Sequence, residues 1–406
     1  MEFKRYKLGD CLLLIRNGAV IQQRKGATGL PITRIETLSN NRFNRDRLGY
    51  ADITDAKLYS SYILEDCDLL MSHINSKEFL GRTILYKQKN NECIIHGMNL
   101  LRIKTNPLIL DSYYAYYLFQ TSYFRKIINS IRKDAINQSS ISISDICNLK
   151  FDLPSIENQR KIITILKDLD YKITINRQIN DNLEAMAKQL YDYWFVQFDF
   201  PNDEGKPYKS SGGKMIWNEK LKREIPEKWE ILPIYSILDK VKSTPRLTTD
   251  EYMTIGQYPI IDQTVNIYHA GFTDRKDAVV RQFPAVIFGD HSCVVKYVNF
   301  PFVRGADGTQ VMLSKDERIS VEYLYFATKI IPLREGYARH FSLLKESFII
   351  IPCISIAKEY KEIASNLFRM ITYNRKNIIT LSKQRDELLP LLMNGQVSVN
   401  YHLSDD

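Results

Sequence analysis

The sequence lacks the features of membrane proteins and disulfide-bonded proteins. No apolar run approaches the roughly 18–20 residues that span a bilayer, and the apolar stretch at residues 12–15 is too short for the core of a signal peptide. No two cysteines form a Cys-x-x-Cys pair, and most lie in apolar stretches: Cys11, Cys67, Cys93, Cys147, Cys293 and Cys353. We therefore expect free, mostly buried thiols in a reducing compartment, with no membrane partner and a cytoplasmic location.

Familiar catalytic motifs are also missing. A phosphate-binding loop needs Gly-x-x-x-x-Gly-Lys-Ser/Thr, but Pro207 and Met215 follow the only Gly-Lys pairs. No two prolines are adjacent, which excludes the Asn/Asp-Pro-Pro-aromatic motif of amino methyltransferases. The six histidines show no metal-ligand spacing, and no Gly-x-Ser-x-Gly elbow occurs. These absences predict a chain without catalytic residues, cofactor or metal, although an enzyme with an unfamiliar site remains an alternative.

Positive charge is in excess and is uneven along the chain. The 406 residues include 56 Lys and Arg against 47 Asp and Glu, a formal charge of +9. Residues 1–152 hold 22 basic and 15 acidic side chains, which is +7 of that total. Such an excess favours an anionic partner such as DNA, RNA or a membrane surface. The length allows two or three domains of ordinary size.

Candidate DNA-binding residues cluster in residues 22–47 and are more dispersed in the second half. Arg and Lys can bridge guanine edges, Asn and Gln can bridge adenine edges, and all four can hold phosphates. The candidates are Arg24, Lys25, Arg34, Asn41, Arg42, Arg45, Arg47, Arg246, Gln263, Arg275 and Arg339, with His340 beside the last. Any one of them taken alone could equally be a solvated surface residue.

The chain repeats itself at an offset of 198 residues. Pro154 and Ile156 match Pro352 and Ile354, and Asn176-Arg177 matches Asn374-Arg375. Both repeats carry apolar residues at a mean spacing of about 3.5, the pattern of a coiled-coil seam. Asn176 and Asn374 fall on this seam in both copies, which predicts that they fix the register of two paired helices. The alternative is that each helix packs on its own domain and the asparagines face solvent.

Each helix follows a globular segment with alternating strand and helix signals. The predicted layout is a first domain at 1–152, a helix at 153–200, a linker at 201–228, a second domain at 229–351 and a second helix at 352–395. The expected fold class is mixed α/β, with two similar globular domains, each followed by a long helix that pairs with the other. Gly395 is expected to end the second helix, and the first is expected to end near Phe200-Pro201.

The first helical repeat resembles a known family. The residues that carry the resemblance are Leu153-Pro154-Ser155-Ile156-Glu157-Asn158-Gln159-Arg160-Lys161-Ile162, Asn176-Arg177-Gln178-Ile179-Asn180, Leu183-Glu184-Ala185-Met186-Ala187 and Trp194-Phe195-Val196-Gln197-Phe198-Asp199. They are similar to the central conserved region of the specificity (S) subunits of type I restriction–modification systems. Pro226-Glu227-Lys228-Trp229 resembles the entry to the second recognition domain of that family. The second copy departs from the first, with Glu359-Tyr360 in place of Lys161-Ile162.

The resemblance implies a non-catalytic DNA reader. Each target-recognition domain would read one half of a bipartite double-stranded DNA target. The two long helices would pair antiparallel in a pseudo-two-fold repeat and separate the two domains. They would set the spacing between the half-sites and dock two methyltransferase subunits, which bind S-adenosylmethionine and methylate adenine. ATP-driven restriction subunits would add cleavage. From the residues alone, a non-catalytic DNA-binding regulator and a helical scaffold protein remain alternatives.

Overall fold

The chain forms two compact units in a computed structural model that describes residues 2–39, 42–135, 138–265, 269–333 and 339–397. Unit 1 comprises residues 1–172 with 380–406, and unit 2 comprises residues 173–379. The α-helices are α1 (Ser112–Gln120), α2 (Ser122–Ile131), α3 (Ile143–Cys147), α4 (Ile156–Tyr191), α5 (Ile234–Ile237), α6 (Val321–Lys329), α7 (His340–Glu346) and α8 (Ile354–Met393). Within the described residues, no helix is both long and apolar enough to cross a membrane.

Unit 1 is built on an antiparallel sheet with the strand order β2-β8-β5-β7. Its strands are β1 (Phe3–Lys7), β2 (Leu12–Asn17), β3 (Leu38–Ser39), β4 (Arg42–Phe43), β5 (Leu69–Ser72), β6 (Ile74–Asn75), β7 (Thr83–Leu85), β8 (Leu100–Thr105), β9 (Lys133–Asp134), β10 (Ser139–Ser140) and β11 (Lys150–Pro154). All of β5 is buried, as expected for a central strand. α1 covers the sheet, and its N-terminus is capped by Asp111, whose carboxylate accepts from the Tyr113 N–H.

Unit 2 contains the three-stranded sheet β20-β19-β22 and a second sheet with the order β15-β21-β16-β17. Its strands are β12 (Met215–Asn218), β13 (Arg223–Pro226), β14 (Glu230–Pro233), β15 (Arg246–Leu247), β16 (Tyr258–Ile261), β17 (Gly271–Thr273), β18 (Val279–Val280), β19 (Ala285–Gly289), β20 (Val295–Val298), β21 (Phe302–Gly305), β22 (Thr309–Met312) and β23 (Phe348–Ile351). α6 packs on β19 and β20, as α1 does on the first sheet. The segment 201–228, predicted as a linker, contains the antiparallel hairpin β12–β13.

The internal repeat extends to matching elements. α8 begins 198 residues after α4, and β23 begins 198 residues after β11. A residue with positive φ directly precedes a strand of the main antiparallel sheet in both halves: Asn99 (φ 74°) before β8 and Gly308 (φ 83°) before β22. Asn99 takes that place because Asn, like Gly, tolerates the left-handed region.

The ends of the long helices agree only partly with expectation. α8 ends at Met393, and Gly395 (φ 69°) closes it. Its N–H donates to the Leu392 carbonyl at 3.3 Å, and the Gln396 N–H donates to the Leu391 carbonyl at 3.0 Å, which is a Schellman cap. The prediction for Gly395 is therefore confirmed. α4 ends earlier than predicted, at Tyr191, because a short π-helical turn (Asp192–Val196) replaces its last part.

In unit 1, α4 and α8 pack on each other and on the domain core. Arg385 Nη1 donates to Asp170 Oδ1 at 3.0 Å, and the Tyr117 hydroxyl donates to Asp170 Oδ2 at 2.7 Å. Ile162 of α4 and Leu392 of α8 are buried in the same apolar cluster. Ile162, earlier in α4, lies with Leu392, later in α8, whereas Asp170, later in α4, contacts Arg385, earlier in α8. The two helix segments are therefore antiparallel.

The helix segments of unit 2 are also antiparallel. Asn180 of α4 contacts Asn374 of α8, and further along, Tyr191 lies 6.4 Å from Tyr360 between ring centroids. Phe368 of α8 packs against Phe326 of α6 at 5.9 Å between ring centroids. The helices therefore pair with each other and with the globular core at the same time, and the predicted mixed α/β class with antiparallel helices is confirmed.

Candidate nucleic-acid interface

The predicted cluster of the first domain lies on a short hairpin and the turns around it. β3 and β4 pair, with the 3₁₀ turns Ile35–Thr37 and Arg45–Arg47 on either side. The Thr37 hydroxyl accepts from the Arg34 N–H at 2.8 Å, and the Asn44 side chain accepts from the Asp46 N–H at 3.0 Å. These local bonds fix both turns. Asn41, a predicted contact residue, lies outside the described residues.

Most of the cationic side chains of this cluster are exposed. Arg24 pairs with Asp52 at 3.0 Å and Arg34 with Glu36 at 3.5 Å, with at least half of each side chain exposed. Exposed pairs of this kind are worth about 0–1 kcal/mol, so a phosphate can replace the carboxylate at little cost. Arg42 is exposed on β4 and makes its own contacts.

Two members of the cluster are free to bind an anion. Lys25 lies in a turn and Arg47 ends a 3₁₀ turn, and both are exposed. Neither side chain has a hydrogen bond or an ion pair with any other described residue. Their positive charge is therefore available to a phosphate without the loss of an existing contact.

Arg45 has a different role from its neighbours. Its Nε donates to Glu92 Oε2 at 2.8 Å, its Nη2 donates to Glu92 Oε1, and Nη2 also donates to the Lys87 carbonyl at 2.8 Å. The bond from Arg45 holds the pKa of Glu92 below its usual range, and the bond to Glu92 raises the pKa of Arg45. The guanidinium fork is occupied by Glu92, so Arg45 braces residues 87–92 against the hairpin.

In the second domain, three predicted residues meet around one set of loops. Gln263 donates from Nε2 to the Asp307 carbonyl at 2.9 Å and accepts from the His291 N–H at 3.1 Å. Arg246 Nη1 lies 3.6 Å from Asp307 Oδ1. Arg339 is exposed, and its side chain has no partner within the described residues. Both ends of the Gln263 amide are engaged, so of these three Arg339 has the most freely available polar group.

These loops form a single structural junction. The Asp290 N–H donates to the Gly308 carbonyl at 2.8 Å, the His340 N–H donates to the Asp290 carbonyl at 3.1 Å, and Asp290 Oδ1 accepts from the Phe341 N–H at 2.7 Å. We call the residues 262–265, 289–293, 305–309 and 339–341 the Asp290 junction. Arg275 lies outside it, held between Glu251 at 3.2 Å and Asp277 at 2.7 Å.

A buried ion pair supports the loops in each domain, and the sequence reasoning missed both. In unit 1, Arg102 of β8 donates from Nε to Asp68 Oδ2 at 2.7 Å. In unit 2, Lys296 of β20 lies 3.7 Å from Asp262, the residue before Gln263. Burial raises the pKa of Asp68 and lowers that of Lys296, which shows the cost of removing these charges from water. A charged residue within an apolar strand was the signal that could have identified them.

The register asparagines are placed differently from the prediction. Asn374 Nδ2 donates to Oδ1 of Asn180, not to Asn176, at 3.1 Å. Asn180 is buried, whereas Asn176 is half-buried and makes other contacts. The predicted register residue of α4 is Asn176, but the contact that spans the two helices uses Asn180, four positions later.

No cluster of three or more His, Cys, Asp or Glu side chains that could hold a metal ion occurs among the described residues. The described thiols are all free, as expected, but the expectation that most are buried is wrong, because Cys11 is buried and the other five are half-buried. Burial raises the pKa of Cys11 to about 11, so this thiol is protonated at neutral pH. The arrangement as a whole offers exposed cations and buried structural polar groups.

Comparisons with known proteins agree with these features. Residues 1–185 match the family model described as the type I restriction modification DNA specificity domain. A putative type I restriction enzyme MjaX specificity subunit of Methanocaldococcus jannaschii is 38% identical over 232 residues, which are 56% of this chain and 51% of that protein. The MjaIX specificity subunit of the same organism is 26% identical over 316 residues, 71% of this chain and 69% of that protein. The matched region thus spans about half the length of the first relative.

A solved structure shares the fold. The crystal structure of a type I restriction–modification S subunit from M. genitalium aligns with a TM-score of 0.56 at 14% identity, over 97% of this chain and 96% of that chain. The resemblance that residues 153–199 indicated is confirmed, and so is the fold class.

Proposed function

We propose that the chain is the DNA-reading subunit of a type I restriction–modification complex, because residues 1–185 match the family model described as the type I restriction modification DNA specificity domain. Each recognition domain reads one half of a bipartite double-stranded DNA target. The long helices set the spacing between the half-sites. The chain itself performs no chemistry.

The observation that carries this proposal is the presence of free, exposed cations in both halves of the chain. Lys25 and Arg47 in the first domain and Arg339 in the second are exposed, without partners among the described residues. Phosphate contacts from such side chains supply the sequence-independent part of DNA affinity. The braced loops around Gln263 and Arg45 give the recognition surfaces a defined shape.

The expected partners are two methyltransferase subunits and, through the complex, restriction subunits. Their cofactors, S-adenosylmethionine and ATP, are expected on those partners and not on this chain. Support for this assignment comes from the names of the relatives.

The decisive experiment combines the chain with a type I methyltransferase subunit and maps the methylated adenines. The proposed function requires two short fixed blocks separated by bases that the complex ignores. A helical scaffold, the second candidate, would bind its partners with no salt-dependent affinity for DNA, so the slope of log affinity against log salt separates the two. Methylation without sequence preference would contradict the proposal.

A further inference from the structure

Residues 19–24 form an extended segment whose side chains alternate between the core and solvent. Ala19 is buried, and Ile21 packs in the same small apolar cluster. Gln23 turns its Oε1 atom against Gly49, where a Cβ would meet it. The residues between them are exposed: Val20, Gln22 and Arg24. A period of two is the pattern of a strand with one face in solvent, so these three side chains form one outward row.

The row ends in a turn that projects into open space. The Ala27 N–H donates to the Arg24 carbonyl at 3.3 Å, which closes the turn 24–27. Gly26 (φ 82°) takes the left-handed position in this turn. Among the described residues, a Cβ on Gly26 would meet nothing within 4 Å beyond its own neighbours in the chain. The turn carries two exposed cations, Arg24 and Lys25, a residue type that holds phosphates.

The second domain shares the strand framework that supports this row. In each domain a central strand pairs in parallel with a strand on either side, at corresponding residues: Ile95–Ile32 and Gly97–Ala19 in the first, Val303–Ile260 and Gly305–Leu247 in the second. The residue after the central glycine donates its N–H to the Ala19 carbonyl at 3.0 Å and to the Leu247 carbonyl at 2.8 Å. Ala19 and Leu247 are therefore counterparts, and so are Val20 and Thr248.

This framework presents different side chains in the two domains. After Leu247 the chain enters the 3₁₀ turn Thr249–Glu251 and does not continue as an extended segment. Glu251 accepts from the Thr248 N–H at 2.8 Å, so the segment is folded on itself. Asp250 takes the place that Gln22 has in the first domain. A shared framework with different outward residues is what two half-sites of different sequence require.

The row in the first domain matches the spacing and chemistry of base edges. Alternate residues of a strand lie about 6.6 Å apart, and two base-pair steps cover about 6.8 Å. Val20 is 81% exposed, and an apolar side chain can contact a thymine methyl group. Gln22 has no hydrogen bond to another described residue, and its amide matches adenine N6 and N7. Both side chains are therefore available to the major groove.

We propose that Val20 and Gln22 are specificity-determining residues of the first recognition domain. Val20 contacts the methyl group of a thymine. Gln22 donates from Nε2 to N7 of an adenine two base-pair steps away and accepts from its N6 amino group, while Arg24 and Lys25 hold phosphates beside them. This inference rests on the proposed function of the chain and deepens it, because it names two base pairs of one half-site.

The test uses the complex assembled with methyltransferase subunits and DNA that lacks single groups of its mapped target. Deoxyuridine in place of one thymine removes only the methyl group, and 7-deazaadenine in place of one adenine removes only the N7 acceptor. In one half-site, the unaltered complex should lose about fourfold in affinity at one thymine. It should lose about fivefold at an adenine two steps away. Val20→Ala should remove most of the first loss, and Gln22→Ala should remove the second.

Leu108→Ala is the matched control for an exposed apolar side chain. Leu108 is 83% exposed and lies beyond the end of β8, a strand about 20 Å long, whereas Gly97, the partner of Ala19, lies before its start. The control should leave both losses unchanged. All three variants should melt at the temperature of the natural chain, because each side chain is exposed.

Three results would overturn the assignment. One is a mapped target in which neither half-site has two A·T pairs with one base pair between them. Another is a loss from the base analogues that is as large in the Val20 and Gln22 variants as in the natural chain. A third is a uniform loss of affinity on all sequences, which would identify contacts with the DNA backbone alone. Failure of the proposed function is distinguishable, because the unaltered complex would then show no bipartite target.

Discussion

The side-chain Nδ2–H of Asn374 donates a hydrogen bond to the side-chain Oδ1 of Asn180 across the paired helices α4 and α8, at 3.1 Å. Asn180 is 7% exposed, so water has little access to it and Asn374 supplies the hydrogen bond to its side-chain oxygen. A polar pair within an apolar seam favours one alignment, because a slipped helix would separate the two amides. Asn176, four positions earlier, is half-buried and does not form this bond.

Replacement of Asn374 by Leu should destabilise the chain by about 1–3 kcal/mol, because Asn180 would remain buried without its partner. Replacing both residues by Leu should recover much of this loss while weakening the preference for one register. Urea denaturation of the two single variants and the double variant gives the coupling energy. Asn176→Leu serves as the control for a seam position, and a coupling near zero would mean that the Asn pair does not act as a unit.

Replacement by Ala should affect DNA binding at Arg47 and stability at Arg45. Arg47→Ala removes a free cation, so the salt slope of DNA binding by the complex should fall by about one unit without loss of stability. Arg45→Ala leaves Glu92 without its cation and should lower the melting temperature of the isolated chain. Calorimetry and binding titrations at several salt concentrations measure both effects. If Arg45→Ala keeps full stability but changes the salt slope, its guanidinium contacts DNA after all.

Glu184 should contribute stability that is lost in acid. Burial alone would raise its pKa, but hydrogen bonds from Tyr325 at 2.7 Å and Lys329 at 2.9 Å lower it below its ordinary value. A depressed pKa stabilises the fold above the unfolded-state pKa of about 4.3, and this stabilisation disappears as the pH falls through the folded-state value. The melting temperatures of the natural chain and Glu184→Gln should therefore differ at pH 7 and converge as the pH falls through the lowered pKa of Glu184. Glu204→Gln, in an exposed pair with Lys206, should show little difference at either pH.

The isolated chain should transfer no methyl group and cut no DNA. The reason is that its sequence has neither the Pro-Pro-aromatic motif of amino methyltransferases nor a phosphate-loop motif. Radiolabelled S-adenosylmethionine with the purified chain and target DNA tests this directly. Incorporation of label above a heat-treated control would require a catalytic site within the chain.

Lengthening α4 should lengthen the spacer in the DNA target. A heptad inserted after Ile173 keeps the seam in phase and adds about 10 Å of helix, close to three base pairs of about 3.4 Å. The methylated sites made by the complex should then contain unchanged half-sites with longer spacers. Seven residues inserted after Gly205, in an exposed turn of the segment 201–228, are the control and should leave the spacer unchanged. Robust methylation at the original spacing by the α4 variant would mean that the helix does not set the distance.

The repeat was predictable from sequence because it depends on local order along the chain. Proline near each start and a fixed offset located the beginnings of α4 and α8. Gly395, which follows the last residues with helical apolar spacing, located the end of α8. Each of these signals lies within a few residues of the feature that it predicts.

The candidate site was less predictable because its contacts join distant positions. The role of Arg45 depends on Glu92, 47 residues away, and that of Gln263 on Asp307, 44 residues away. Composition cannot distinguish such braced groups from the exposed Arg47. The partner of Asn374 was also unpredictable from sequence. The repeat matches Asn374 with Asn176, but the antiparallel register of the helices brings it against Asn180.

The ion pair between Asp170 and Arg385 limits which helices can pair. At the repeat offset of 198, the counterpart of Arg385 in α4 is Ala187, and the counterpart of Asp170 in α8 is Phe368. Two copies of α4 in the same antiparallel register would therefore bring Asp170 against Ala187, and two copies of α8 would bring Arg385 against Phe368. Only the mixed pair joins the carboxylate to the guanidinium. If the two halves of this chain were made as separate polypeptides, this position would favour a heterodimer over either homodimer.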